Sequence, residues 1–139
     1  ENGITKFMQK VGGGYAIYFN KKYKRKGHLF NRFKAFHIEN DAQFRNVITY
    51  VHCNPLSIIE PGWKESGIKD TVKAIAFLTN EYRWSSFFDY IGKKNFPSLI
   101  SKDFTLELMS GEAGIAEKVG NWVKFNEKIA NFDFRSLES

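Results

Sequence analysis

Apolar positions in this chain fall into blocks of helical spacing, separated by breaks rich in glycine and proline. From Gly3 to Tyr23, residues Ile4, Phe7, Met8, Val11, Tyr15, Tyr18 and Phe19 recur at intervals of three and four, which predicts a first helix. Gly12, Gly13 and Gly14 lie inside it, each at a cost of roughly 0.8 to 1 kcal/mol relative to alanine. Two readings follow: a kink between shorter helices, or close approach of another backbone or a nucleic-acid strand. Leu29 to Ile38 lacks a helical stripe and reads as a strand covered on both faces, with His37 packed or hydrogen-bonded rather than ligating a metal. Asn40 to Pro55 is the best-marked helix. Phe44, Val47, Ile48 and Val51 supply its apolar stripe, Asn40 and Gln43 match a capping box, and Pro55, by disfavouring helical angles at Asn54, predicts an end near Cys53.

Leu56 to Gly67, with Pro61-Gly62, reads as a loop pinned by Trp63. Asp70 caps a helix bearing Val72, Ile75, Ala76 and Leu78, and the aromatic cluster Trp84, Phe87, Phe88 and Tyr90 reads as core. Gly92 to Pro97 breaks the pattern and is the expected boundary between residues 1–92 and 93–139. Beyond it a short helix runs from Ser101 or Asp103 to Met109. A final amphipathic helix from Glu112 to Ile129 carries Ile115, Val119, Trp122, Val123 and Ile129, and the last ten residues are expected to fray.

At about 100° per residue, Asn46, Tyr50 and Asn54 line up beside the apolar stripe of the Asn40–Pro55 helix, so a phenol and a carboxamide face one side. By spacing alone, such a tyrosine is first a residue at a core margin.

Composition changes this picture mainly through charge. The 139 residues suit one domain, 42% hydrophobic and 26% charged residues fit a folded chain, and no apolar run is long enough to span a bilayer. The single Cys53 excludes an internal disulfide and fits a reducing, cytoplasmic setting. Of the net +6, residues 1–40 carry nine Lys or Arg against Glu1 and Glu39, a local balance of +7 that leaves −1 for the remainder. The cluster comprises Lys21, Lys22, Lys24, Arg25, Lys26, His28, Arg32 and Lys34, with Tyr23, Phe30 and Phe33 interleaved. Such a stretch can neutralise phosphates and stack unpaired bases. The alternative is a solvated helix end whose cations complement the dipole, but one dipole does not call for this many charges.

The three histidines form no HxH or HExxH motif, no serine or cysteine triad is apparent, and the carboxylates are scattered. Cys53 points away from its neighbours on the helix and is a poor candidate thiol nucleophile.

Several blocks nevertheless resemble the single-tyrosine transposases of the HUH class, most closely the REP-associated tyrosine transposases of bacteria. These blocks are ITKFMQKVGGGYAIYFNKKYKRKGHLF, the RFKA that follows, YVHCNP, which is similar to the family's Y-I-H-x-N-P, and YRWSSFFDYIG, which is similar to its W-S-S-Y-x-x-Y-x-G. The resemblance covers Ile4 to Gly92; residues after Gly92 match only loosely. It implies that Tyr50 attacks a phosphodiester of single-stranded or hairpin DNA, leaving a 5′-phosphotyrosine link and a free 3′-hydroxyl. It also implies that Asn54 is one ligand of a Mg²⁺ or Mn²⁺ ion, which would polarise the scissile phosphate for a phenol that is a weak nucleophile at neutral pH. The family's two metal-binding histidines lie on a strand before the first helix, and no such strand is present here. This chain is therefore expected to be the C-terminal part of a longer enzyme, inactive alone. Phe30-Asn31-Arg32-Phe33 is one residue shorter than the family's F-Q-G-R-F/Y, and Cys53 stands where leucine is common. The implied fold is α+β, a helix-rich fragment of a ferredoxin-like domain with a C-terminal helical extension. Homodimerisation and a bacterial, nucleoid-associated cytoplasmic location are implied as well. A non-catalytic nucleic-acid-binding module built on residues 21–34 is the alternative.

Overall fold

The computed structural model describes residues 3–126. It is helix-rich, with no strand among the described residues, and divides into two compact units between His37 and Ile38.

The first unit is one long helix and the segment that folds back on it. Helix α1 (Gly3–Lys22) runs through the three glycines without a break into two shorter helices. Of the three, only Gly12 is approached: a Cβ there would lie 3.9 Å from the Phe30 ring, which also packs against Tyr15 at 5.9 Å. The close approach comes from the chain's own aromatic ring. Lys24 adopts a left-handed conformation (φ 50°), and the Arg25 N–H donates to the Asn20 carbonyl at 2.9 Å. This six-to-one bond closes the helix as a glycine cap would. The Asn20 amide then donates to the Gly27 carbonyl at 2.9 Å, holding the turned chain.

The strand expected over Leu29–Ile38 is not formed: residues 31–39 are irregular and exposed, and His37 is exposed rather than packed. The physical reason is pairing. An extended segment becomes a strand only beside a neighbour that pairs its N–H and C=O groups, and no such pairing forms among the described residues.

The second unit begins with α2 (Asp41–Cys53). Asn40 Oδ1 accepts from the Gln43 N–H at 2.9 Å, while Gln43 Oε1 accepts from the Glu39 N–H at 2.8 Å. The capping box thus forms, reaching one residue further back than its usual partner. The helix ends at Cys53 as expected, but Asn54 keeps helical angles (φ −51°, ψ −39°) and leads into a 3₁₀ turn, Asn54–Ile58, that accommodates Pro55 in its first turn. Next come α3 (Trp63–Ser66), α4 (Thr71–Ala76), a π-helical turn (Phe77–Glu81), α5 (Phe87–Tyr90), α6 (Asp103–Leu108) and α7 (Gly111–Lys124).

Their shared core holds Cys53, Leu56, Leu78, Phe87, Met109, Ile115 and Val123, all buried. Helix α7 packs on α2 and α4, so the loop at Gly92–Pro97 joins helices of one unit. Two expectations of burial shift. Val72 is 79% exposed, because α4 turns Ala74 inward in its place. Trp84 is 72% exposed instead of lying in the aromatic core with Phe87 and Tyr90. Tyr82, at the end of the π turn, leaves helical angles (ψ 83°), and residues 83–86 then turn before α5, on the solvent side of the core. Ile129 and the last ten residues lie outside the described residues. No described helix is long and apolar enough to cross a membrane.

Candidate active site

The apolar stripe of α2 is met in part, with Phe44 and Val47 half-buried and Ile48 packed against the core, but the most buried residues lie beside it. Thr49, His52 and Cys53 are buried, whereas Val51 is 53% exposed. Buried polar groups need partners, and these have them. The Thr49 hydroxyl donates to the Arg45 carbonyl at 2.7 Å, and Arg45 Nε donates to the Leu108 carbonyl at 2.7 Å. Since a carbonyl only accepts, His52 Nδ1 carries the proton and donates to the Ile48 carbonyl at 2.7 Å. Nε2 then accepts from the Ser86 hydroxyl at 2.9 Å. Burial holds the His52 pKa below the ordinary histidine value, partly opposed by the Ile48 hydrogen bond. Burial likewise pushes the Cys53 thiol far up, leaving it protonated and inert.

With that face packed, the Asn46, Tyr50 and Asn54 stripe is turned away from the centre of the core: Asn46 and Tyr50 are half-buried and Asn54 exposed. The Asn54 N–H donates to the Tyr50 carbonyl, so the two side chains keep their one-turn spacing even though Asn54 opens the 3₁₀ turn. A partner that no spacing announced joins them. Lys64 Nζ, on α3, donates to the Tyr50 hydroxyl at 2.7 Å and sits 4.9 Å from its ring centroid. Trp63, 4% exposed, fixes α3 through its indole N–H to Ser57 Oγ at 3.0 Å, and the left-handed Gly62 (φ 83°) starts that short helix. The loop expected to be pinned by Trp63 is therefore a 3₁₀ turn and a helix that deliver an ammonium group to the phenol. Trp122 of α7 meets the Tyr50 ring edge-on at 6.5 Å.

A cleft of about 450 Å³ opens beside Asn54, lined by Val51, His52, Pro55, Ile58, Tyr82, Trp84, Ser85 and Ser86 as well. The basic residues Lys21, Lys22, Lys24, Arg25, Lys26, His28, Arg32 and Lys34 are all exposed and belong to the other unit. Lys21 and Lys22 occupy the last turn of α1, where the dipole favours cations; the other six lie beyond the helix. Lys22 lies over the Tyr18 and Tyr23 rings at 5.5 Å, and Arg25 over Phe19 at 6.0 Å.

No three His, Cys, Asp or Glu residues among the described residues are grouped so as to hold a metal ion. Asn54 alone does not make a Mg²⁺ or Mn²⁺ site, since such ions require several oxygen or nitrogen ligands in fixed geometry. The metal implied by the sequence resemblance does not fit the residues described. Lys64, the His52–Ser86 pair and the exposed Trp84 had no signal in periodicity, because each depends on segments brought together by folding. The chain matches no protein-family model, and searches of curated proteins and of solved structures likewise found no match.

Proposed function

We propose that this chain is the C-terminal part of a single-stranded DNA transposase of the single-tyrosine HUH class, with Tyr50 as its nucleophile. The observation that carries the reading is the Lys64 ammonium 2.7 Å from the Tyr50 hydroxyl, on the helix stripe that ends in exposed Asn54. A phenol ordinarily titrates near 10, so attack at neutral pH requires help in developing negative charge on oxygen, and a hydrogen-bonded ammonium supplies it. In the proposed step the Tyr50 oxygen bonds to phosphorus, the bond from phosphorus to the 3′ oxygen breaks, the phenolic proton passes to water, and the departing 3′ oxygen leaves as a hydroxyl after taking a proton. The phosphotyrosine link conserves the phosphodiester for rejoining.

The proposal assigns to this chain the nucleophile, its lysine, Asn54 and a share of strand binding. It places the histidine ligands of the Mg²⁺ or Mn²⁺ ion, and the strands of a ferredoxin-like α+β domain, in polypeptide beyond this sequence. Homodimerisation, DNA as partner and a bacterial nucleoid setting belong to the same proposal. The longer polypeptide, given Mn²⁺ and a cognate single strand, forms an SDS-stable protein–DNA adduct that Tyr50→Phe abolishes; an adduct surviving that substitution would overturn the reading. This chain by itself gives no adduct.

A second reading, a binding module without catalysis, is favoured by the exposed basic cluster. It predicts salt-sensitive strand binding and no adduct in any longer polypeptide that contains this chain.

A further inference from the structure

An indole held 72% exposed at the mouth of a cleft is an unusual use of the largest apolar side chain, and its surroundings show that it is held there. The buried carboxylate of Asp89 accepts from the backbone N–H groups of Asn95 (3.0 Å) and Phe96 (3.0 Å), fixing the loop after α5. The Asn95 amide reaches back to the Arg83 carbonyl at 2.6 Å, tying that loop to the turn that carries Trp84. Phe96 consequently stacks on Trp84, with centroids 6.3 Å apart and planes 24° from parallel, and the Arg83 guanidinium lies 5.2 Å from the Trp84 ring and 5.7 Å from the Phe96 ring. The platform is assembled before any ligand arrives, so little ordering remains to oppose binding.

From this arrangement we infer that the cleft between Asn54 and Trp84 seats an unpaired nucleobase of single-stranded DNA. The inference rests on the single-stranded DNA reading above and adds to it the subsite beside the scissile phosphate. A volume of about 450 Å³ accepts a base with its sugar. Trp84 supplies a stacking face, and the Asn54 amide and Ser85 hydroxyl supply donors and acceptors for a base edge. Arg83 adds positive charge for the adjoining phosphate. Asn54 lines this cleft and its N–H donates to the Tyr50 carbonyl, so the base seat and the proposed nucleophile are joined through one residue of α2's C-terminal end.

The test uses this chain, a short fluorescein-labelled single strand of mixed sequence, and fluorescence anisotropy. Trp84→Ala weakens binding roughly tenfold, as loss of one base–aromatic stack does, while Trp84→Phe retains most of the affinity. A strand carrying abasic sites binds weakly and loses its dependence on Trp84. Trp63 is buried and Trp122 half-buried, so the single strand quenches a tryptophan emission that Trp84→Phe lacks. Far-UV circular dichroism confirms that the variants stay folded, and if Trp84→Ala does not, the quenching lost in Trp84→Phe decides the matter. Unchanged affinity in Trp84→Ala, with unchanged quenching in Trp84→Phe, overturns the base seat while leaving the Tyr50 adduct to stand or fall separately. Failure of the unsubstituted chain to bind any single strand overturns the seat and strand binding together. A tenfold preference for RNA of the same sequence overturns DNA as the occupant.

Discussion

At the scale of single residues, two side chains of α2 follow from opposite environments. Tyr50, half-buried, has Lys64 Nζ on its hydroxyl at 2.7 Å, and Lys64→Met removes both the cation and the donor while keeping the stem's packing. Under the proposed function, adduct formation by the longer polypeptide slows by roughly 100- to 1000-fold, in the range expected when one charge-stabilising donor is removed. Lys64→Arg recovers part of the rate, whereas a purely structural lysine would leave the rate unchanged in both variants. His52 is instead buried and neutral, with its pKa held below the unfolded value of about 6.5 by desolvation. Above that value neither state binds the proton. As pH falls below it, the unfolded chain gains a proton that the folded chain resists, so stability is lost on acidification. Thermal melts from pH 7.5 to 5 therefore show a falling midpoint, and the slope is shallower in His52→Gln.

At the scale of elements, glycines separate by what lies opposite them. Gly13 sits in α1 with nothing from outside its own turn of helix within 4 Å of an added Cβ. Gly13→Ala should therefore stabilise that helix by about 0.8–1 kcal/mol, read as increased helicity at 222 nm. Gly114, near the start of α7, has the Met109 carbonyl so close that a Cβ would collide with it. Gly114→Ala should cost about 1–3 kcal/mol, read as a lower denaturation midpoint at unchanged slope. Helix propensity favours alanine at both positions, and only the packed partner reverses the sign. Much of this scale was legible in the sequence. The Asn40 cap, the end of α2 at Cys53 and the inward residues Ile115, Val119 and Val123 of α7 follow from local chemistry and spacing. The strand at Leu29–Ile38 was not, since a strand is completed by its neighbour and the pattern of one segment carries no record of what pairs with it.

At the scale of the whole molecule, charge is divided as unevenly as the fold. The unit ending at His37 contains the exposed cluster from Lys21 to Lys34, while the candidate tyrosine lies in the unit beginning at Ile38. Neutralising Lys21, Lys22, Lys24 and Arg25 together should weaken single-strand binding uniformly across sequences. It should also flatten the plot of log affinity against log salt by about 0.7 for each phosphate that the chain no longer neutralises. Trp84→Ala should lower affinity without changing that slope, because stacking releases no counterions.

The sequence by itself determined where α1, α2 and α7 lie, which residue caps α2, that the positive charge is concentrated before residue 41, and that Tyr50 and Asn54 share one side of a helix. Each of these depends on neighbours a few residues away, where helical geometry and local hydrogen bonds suffice. Only the tertiary structure decided that Thr49, His52 and Cys53 form the buried face, that Lys64 meets the Tyr50 hydroxyl, and that Trp84 is displayed rather than buried. The reason is that burial is a property of how distant segments pack together. Lys64 reaches Tyr50 because Trp63 anchors α3, and Trp84 lines the cleft on a turn that Asn95 ties to the loop held by Asp89, with Phe96 stacked on its ring.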